Sequence, residues 1–150
     1  MLRQSLQTLS LATQGDGFTN ITSQLNGAIS ASGLALGTAT LVCLHTSCSL
    51  TVNENADPRV LVDLAAYLRA LVPEEGVRPI SGEGSRYAYR HDDEGPDDMP
   101  AHIRTALTAT SLNLIFQQGR LLLGTWQAVY LWEHRAQPHR RQLSLHLVGA

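Results

Sequence analysis

The most regular apolar pattern in the chain follows Pro58. Apolar side chains recur there with the period of an α-helix that buries one face, at Val60, Leu61, Leu64, Ala65, Leu68 and Leu71. Asp57 is placed to cap the first turn, and Pro58 suits the first helical position, where its missing N–H costs nothing. Pro73 cannot continue the helix. The pattern therefore predicts a helix from Pro58 to just before Pro73.

Two further segments carry weaker helical signals. Residues 18–33 have apolar side chains at helical spacing and end in Gly33, which suits the left-handed position after a helix C-terminus. Farther along, Asp97 or Asp98 can cap a third helix that has Pro100 in its first turn. The apolar positions of that helix are Ile103, Ala106 and Leu107. The sequence thus predicts two to three helices.

The remaining apolar segments have the pattern of β-strands. They are residues 2–11, 36–45, 111–116, 120–135 and 142–149. The second is apolar on both parities, as in a central strand covered on both faces. The fourth is one long strand or two joined at Gly124, and the last alternates cleanly. We expect a single α+β domain over residues 1–150, with an antiparallel or mixed sheet of about six or more strands.

Composition and charge narrow the possible classes of function. The net charge of −2 gives no electrostatic basis for binding nucleic acid or an anionic membrane. No apolar run reaches the roughly 20 residues that span a bilayer, and residues 1–15 lack the apolar run of a signal peptide, so we expect the cytoplasm. All eleven basic side chains are arginine. Schiff-base catalysis and the Walker phosphate loop both need lysine, so both are excluded.

A polar stretch at residues 89–104 concentrates the candidate chemistry. It holds two of the six histidines and five of the thirteen acids. His91 precedes the acids, and His102 follows Asp98 by four residues, which places those two side chains on one face of the predicted helix. A carboxylate beside an imidazole fixes the tautomer and raises the basicity of the ring, whether the ring binds metal or moves protons. A solvated acidic loop explains the same carboxylates equally well.

Polar residues on either side of residue 50 are further candidates. His45 lies where the apolar strand opens into small polar residues, which suits a ligand or an acid–base group. The alternative is a histidine that is hydrogen-bonded to its own loop. Asn53 and Asn55 precede the helix at Pro58, where short polar side chains serve turns and caps or face a ligand. The spacing of Cys43 and Cys48 is not that of a redox or zinc motif, so we expect two free thiols.

The segment 120–135 adds two polar candidates. Gln127 and Glu133 share one parity with Val129 and Leu131, so they are the polar members of an otherwise apolar face. Both are therefore candidates to face a pocket. Arg135 has the same parity and can instead pair with Glu133.

Three segments together resemble the YjbQ-type family. They are HTSCSLTVNENADP (45–58), YRHDDEGPDDMPAHI (89–103) and GRLLLGTWQAVYLWEHR (119–135). The family is associated with a secondary thiamine-phosphate synthase activity. The resemblance implies an α+β fold, a homotrimer, and a site lined by histidines and acids that takes a metal or an anion. The family's motif residues match His45, Asn53, Glu54, Asn55, Asp57, His91, His102, Gln127 and Glu133. The stretch 77–86 is longer than in the family and alters the rim of the implied site.

The first hypothesis is a metal-assisted enzyme acting on a small phosphorylated metabolite. Its catalytic residues would be His45, His91, His102, Asp98 and Glu133, with the three histidines as metal ligands. Its substrate-binding residues would be Asn53, Asn55, Gln127, Arg104 and Arg135, with Arg90 as another arginine for the phosphate. Three histidines suit Zn²⁺ better than Mg²⁺, whereas a diphosphate reaction normally uses Mg²⁺ or arginines. We therefore expect the thiamine-phosphate synthase activity to be secondary.

Two other hypotheses remain open at the level of sequence. The same residues can bind a metal or a metabolite in a homotrimer without changing any bond. Alternatively, the polar cluster only stabilises the trimer through buried hydrogen bonds. Metal content, turnover and the oligomeric state of histidine variants distinguish the three.

Overall fold

The chain folds into two antiparallel sheets and three helices. The structure is a computed structural model that describes all residues, 1–150. The elements in chain order are β1 (Arg3–Ala12), β2 (Gly17–Asn20), α1 (Thr22–Ser32), β3 (Leu36–Cys43), β4 (Cys48–Glu54), α2 (Pro58–Leu71), α3 (Asp98–Leu107), β5 (Ser111–Gln117), β6 (Arg120–Leu121), β7 (Gln127–Glu133) and β8 (Arg140–Gly149). The predicted α+β class is confirmed.

The eight strands are divided between two sheets, whereas the sequence pattern predicted one. The larger sheet has the order β1-β8-β3-β5-β6, and the smaller has the order β2-β7-β4. All pairings are antiparallel. Arg3 pairs with Gly149 and Leu41 pairs with Leu145, so β8 lies between β1 and β3.

One hydrophobic core is shared by the two sheets and helix α1. Because alternate residues of a strand face the same side, each sheet turns one row of apolar side chains inwards. The fully buried members include Leu41, Leu143, Leu145 and Leu147 of the larger sheet, Leu50, Val129 and Leu131 of the smaller sheet, and Ile21, Leu25 and Ile29 at α1. The clean alternation predicted for residues 142–149 places Leu143, Leu145 and Leu147 in this core.

One predicted boundary near the smaller sheet was wrong, and one of its strands was not predicted. The helix expected over 18–33 begins only at Thr22, because Gly17–Asn20 pairs with β7 as strand β2. Its end was predicted correctly, since Gly33 adopts the left-handed conformation with φ 70°. Strand β4 was not predicted, because its polar second half hides the strand pattern. The segment 120–135 is divided into β6 and β7, which is one of its two predicted alternatives.

Helix α2 matches the strongest sequence pattern, although its apolar face is only partly covered. It spans Pro58–Leu71, and the Asp57 carboxylate accepts a hydrogen bond from the Arg59 N–H at 3.0 Å, as predicted for the cap. Leu68 is its one buried residue, and the helix contacts β4 rather than the main core. No helix in the structure combines the length and the apolar character needed to cross a membrane.

Candidate metal centre

Helix α3 and the loop before it bring two histidines to one carboxylate. Asp98 lies in the first turn of α3, and its side chain is 4% exposed. His91 Nε2 lies 3.0 Å from Asp98 Oδ2, and His102 Nε2 lies 3.3 Å from Asp98 Oδ1. One ligand atom from each of the three residues lies within 4.8 Å of the other two. These residues form what we call the His–Asp cluster, and the four-residue spacing of Asp98 and His102 had indicated their contact.

A hydrogen bond on the far side of the His102 ring fixes its tautomer. Its Nδ1 lies 2.9 Å from the carbonyl oxygen of Thr46, and because a carbonyl only accepts, Nδ1 must carry the proton. In the neutral ring, Nε2 then presents a lone pair to a carboxylate oxygen at 3.3 Å. A proton or a cation between the two acceptors makes such a contact attractive. His102 Nε2 is therefore an atom that can accept a proton or bind a cation.

Arg135 holds Asp98 from the other side. Its Nε donates to Asp97 Oδ2 at 2.9 Å, its Nη1 to Asp98 Oδ1 at 3.0 Å, and its Nη2 to the Glu94 carbonyl at 2.9 Å. Burial raises the pKa of Asp97, but the hydrogen bonds from Arg135 and the Ala136 N–H outweigh burial and lower the pKa overall. The Arg135 side chain therefore does not pair with Glu133, and its guanidinium is already occupied by the chain itself.

Glu133 lies apart from the His–Asp cluster, in a separate buried network. Its carboxylate accepts hydrogen bonds from Arg141 Nε at 2.8 Å, from Arg141 Nη2, and from Thr13 Oγ1 at 2.7 Å. Burial raises the pKa of Glu133, but these bonds outweigh burial and lower the pKa overall. The Glu133 side chain is 1% exposed. Both carboxylate oxygens of this predicted catalytic residue therefore already have hydrogen-bond partners within the chain.

The Glu133–Arg141 network reaches the cluster through Arg135, whose N–H donates to Glu133 Oε2 at 3.2 Å, and through the loop at residues 44–47. Arg141 Nη2 also donates to the carbonyl of Ser47 at 3.3 Å and to its Oγ at 2.9 Å. Ser47 follows Thr46, the residue whose carbonyl accepts from His102. Arg141 therefore stabilises residues 44–47, and the Thr46 carbonyl in this segment orients the His102 ring.

His45 was predicted as the third histidine of the site, and the structure does not bring it into the His–Asp cluster. Its Nε2 accepts a hydrogen bond from the Gln142 N–H at 2.7 Å, so that lone pair is already used. Burial and the nearby Arg141 lower the pKa of His45, which keeps the ring neutral and able to accept. It bonds to strand β8 rather than to its own loop. The group of side chains that could hold a metal ion is His91, Asp98 and His102, without His45.

The predicted amide residues stabilise a turn at the end of the smaller sheet. Asn55 Nδ2 donates to the carbonyls of Thr125 and Gln127 at 3.0 and 3.2 Å. Gln127 Oε1 accepts from the Gly124 N–H at 2.7 Å, and Asn53 Oδ1 accepts from the Glu54 N–H at 2.8 Å. Asn55 also lines a cleft of about 280 Å³ beside α2. Gln127 is exposed rather than facing an enclosed pocket.

Arg104 lies on the opposite face of α3 from His102, because two residues turn a helix by about 200°. It is buried, and its Nη2 donates to the Val72 carbonyl at 3.1 Å. Burial lowers its pKa. Arg104 lines a cavity of about 440 Å³ together with Arg69, Glu74 and Glu75. It is thus not placed to hold a phosphate at the His–Asp cluster.

Two buried polar residues, Arg141 and His134, were not among the candidates predicted from the sequence. Arg141 has the same parity as Leu143 and Leu145 along β8, and that inward parity was the available signal. His134 follows β7, is 1% exposed, and its Nε2 lies 2.8 Å from Ser49 Oγ. Burial lowers the pKa of His134 to about 3, so the ring is neutral in the folded protein.

The two cysteines are free and buried, as predicted, and they touch each other. Cys43 Sγ lies 3.2 Å from Cys48 Sγ, across the gap between β3 and β4. The hydrogen bond between the two thiols lowers the pKa of Cys43, against the effect of burial. The same contact and burial raise the pKa of Cys48.

The fold and the cluster together define a class of protein: a small α+β domain with two packed antiparallel sheets and a His–Asp cluster at the start of a helix. The chain belongs to the YjbQ family, because the family described as UPF0047 protein YjbQ-like matches residues 7–150. A UPF0047 protein of Synechocystis sp. is 48% identical over 147 residues, covering 98% of this chain and 93% of that protein. The UPF0047 protein YjbQ of Salmonella typhimurium is 39% identical over 144 residues, covering 95% and 96%.

Solved structures agree with this assignment. A conserved hypothetical protein from Thermus thermophilus superposes with a TM-score of 0.77 at 37% identity, covering 94% of this chain and 98% of that one. An uncharacterised conserved protein of the YjbQ/UPF0047 family from Clostridium acetobutylicum superposes with a TM-score of 0.77 at 34% identity, covering 94% of this chain and 98% of that one. The resemblance read from the three sequence motifs is thereby confirmed at the level of family and fold.

Proposed function

We propose that the His–Asp cluster binds a divalent transition metal and that the protein acts on a small phosphorylated metabolite at that metal. The observation that carries the proposal is the His102 ring, whose proton lies on Nδ1 and whose Nε2 lone pair faces Asp98. A metal ion at Nε2 supplies a positive charge that makes this contact attractive. His91 offers a third ligand atom within reach.

The donor set favours Zn²⁺ or a similar ion over Mg²⁺. Two imidazoles and one carboxylate are borderline ligands that suit zinc, whereas Mg²⁺ prefers oxygen ligands and water. When bound, such an ion supplies a Lewis acid for a phosphoryl oxygen or an acidified water. The exposed side of the site lies at His91, whose side chain is 59% exposed. A substrate would therefore approach from the His91 side.

Arg90 is the arginine best placed to meet a phosphate. It directly precedes His91 and is exposed, whereas Arg135 and Arg104 are bound to other parts of the chain. Family membership supports a secondary thiamine-phosphate synthase activity as one such reaction, in which a pyrimidine-methyl diphosphate joins a thiazole phosphate and releases pyrophosphate. It also supports assembly as a homotrimer.

A second candidate is a homotrimer that binds a metal or a metabolite without turnover. The observation that favours it is the burial of Glu133 and its pairing with Arg141, which remove the catalytic acid expected beside the histidines. In this candidate the cluster still binds the ion, but no bond of the metabolite changes.

Metal binding is tested by elemental analysis and zinc titration of the purified chain. We expect stoichiometric zinc in the wild type and loss of about tenfold or more in affinity for His102→Ala and Asp98→Asn, since each removes one ligand of three. His146→Ala is the matched control, because His146 is partly exposed on the outer face of the larger sheet. Unchanged zinc affinity in both cluster variants would contradict the proposal.

Turnover separates the two candidates. If the site is an enzyme, zinc-loaded wild type should release pyrophosphate from the two thiamine precursors, and Arg90→Ala should release it more slowly. Zinc binding without release from these or other phosphorylated metabolites supports the binding candidate. Light scattering gives the oligomeric state directly.

A further inference from the structure

The contact between Cys43 and Cys48 is not part of the proposed metal site. The two sulfurs lie 3.2 Å apart, and a disulfide needs about 2.05 Å, so an approach of about 1.2 Å closes the bond. Only residues 44–47 separate the two cysteines, and those residues form the turn between β3 and β4. Both thiols are free, and the chain has no other cysteine.

Either thiol can act as the nucleophile. Either sulfur can donate in the Cys43–Cys48 contact, and Cys43 Sγ also lies 3.5 Å from the Cys48 carbonyl oxygen. Since the thiolate is the nucleophile, the cysteine that loses its proton attacks the peroxide and the other cysteine resolves the product.

We propose that Cys43 and Cys48 form a dithiol that a peroxide oxidises to a disulfide, and that closing this disulfide moves residues 44–47 and with them the support of His102. The effect of the disulfide on the support of His102 rests on the proposed metal site. The formation of the disulfide rests only on the geometry of the two sulfurs.

The reaction is balanced with one peroxide for each disulfide. The thiolate of one cysteine attacks one oxygen of hydrogen peroxide, the O–O bond breaks, and that cysteine becomes a sulfenic acid while the leaving hydroxide takes up the thiol's proton as water. The sulfur of the other cysteine then attacks the sulfenic acid sulfur, the S–O bond breaks, and a second water leaves with the remaining thiol proton. Two thiols are oxidised, and the peroxide is reduced to two waters.

The segment that joins the two cysteines reaches the surface. Both cysteines are almost fully buried, whereas Leu44 is 53% exposed and Thr46 is also exposed. Opening of so short a segment needs far less free energy than global unfolding. Hydrogen peroxide is small enough to use such an opening.

The same four residues carry three contacts of the surrounding site. His45 Nε2 accepts from the Gln142 N–H, the Thr46 carbonyl accepts from His102, and Ser47 accepts from Arg141. A displacement of either end of this segment therefore changes the position of the Thr46 carbonyl. Because partners behind a metal-binding histidine set its orientation, we expect zinc affinity to fall about ten- to hundredfold in the disulfide form.

The first experiment treats the folded full-length chain with hydrogen peroxide and measures intact mass with and without thiol alkylation. We expect the chain to lose the mass of two hydrogen atoms, to stop reacting with the alkylating agent, and to recover on reduction. Cys48→Ser and Cys43→Ser should each stop at a sulfenic acid trapped by dimedone and form no disulfide. A folded chain that keeps both thiols, or gains oxygen atoms without closing the bond, would overturn the dithiol.

The second experiment follows the His102 ring by NMR and zinc affinity by titration in both redox forms. We expect the His102 signals to shift on oxidation while those of His146 stay unchanged, and this readout needs no metal. Unchanged His102 signals and zinc affinity in a chain shown to carry the disulfide would overturn the coupling. If His102 shifts but neither form binds zinc, the metal proposal fails while the redox coupling stands.

Discussion

Two clusters of acid and basic side chains lie on either side of residues 44–47, and they differ in how their charges are satisfied. In the Glu133–Arg141 network the carboxylate is buried and receives hydrogen bonds from a guanidinium and a hydroxyl. In the His–Asp cluster the carboxylate is also buried, but His102 turns a lone pair towards it and His91 is exposed. The first cluster is complete within the chain, and the second can accept a proton or bind a metal ion.

The difference shows that residue type alone does not separate a structural network from a binding site. Both clusters contain an acid, and both lie beside a histidine that the sequence pattern marks as a candidate site residue. The two clusters differ in the direction of their hydrogen bonds. A backbone carbonyl can only accept and an N–H can only donate, so the position of these groups decides which side-chain atoms carry a proton. Variants that alter one cluster at a time should therefore change stability in one case and binding in the other.

The largest expected effect comes from Arg141→Leu. The change leaves Glu133 buried without its ion pair, so the free energy of unfolding should fall by about 3–5 kcal/mol in urea denaturation. Arg140→Leu is the control, because Arg140 is exposed and its side chain donates only to Ser10. Adding Glu133→Met to Arg141→Leu should restore part of the loss, since the cost arises from the unpaired charge. No recovery in the double variant would mean that packing, rather than charge, dominates this network.

A smaller effect is expected from pH, through the buried histidine His134. The unfolded chain titrates His134 near pH 6.5, but the folded chain does so only at about pH 3. Between those values the unfolded state binds a proton that the folded state does not, so stability falls as the pH falls. From pH 7 to pH 5 this contribution is about 2 kcal/mol.

His134→Gln isolates that pH dependence. The amide can still hydrogen-bond to Ser49 but does not titrate, so the variant should lose about 2 kcal/mol less than the wild type on going from pH 7 to pH 5. Urea denaturation at the two pH values measures the difference. Parallel losses in the two proteins would show that His134 does not titrate on unfolding in this range.

The smallest stability effect is expected at the His–Asp cluster itself. His91→Ala removes a half-exposed ring whose ion pair is worth little in solvent, so the free energy of unfolding of the metal-free protein should change by about 0.5 kcal/mol or less. Zinc affinity should nevertheless fall. His146→Ala, at a partly exposed histidine outside the cluster, should change neither quantity. A large loss of stability in metal-free His91→Ala would make the cluster a structural network like the first.

Much of the fold was predictable because the pattern of apolar residues follows the shape of the elements. The helix at Pro58 and the strand over 142–149 were located from period and caps alone. The split into two sheets was not predictable, because β7 is buried on both faces and so carries no alternation that assigns it to one sheet. Strand β2 was hidden inside a helical pattern, since its pairing with β7 depends on a partner more than a hundred residues away.

The candidate site was predictable where its geometry is local. Asp98 and His102 meet because four residues make one helical turn, and this is a property of the sequence. His45 and Glu133 were grouped with them by motif, but their hydrogen bonds go to Gln142 and Arg141 on β8. Those bonds depend on the tertiary position of β8. Arg141 could have been selected by its parity with the leucines that follow it.

The central position of β8 also governs how the protein folds. This strand holds β1 and β3 together, and its partners lie as far away in sequence as Arg3, which pairs with Gly149. On a ribosome, the larger sheet cannot close until residues 140–149 have emerged, and until then β1 and β3 expose unpaired edges. Contacts of such long sequence separation place this domain among slow folders, with times of milliseconds to seconds. The closure of the larger sheet is therefore set by strand β8.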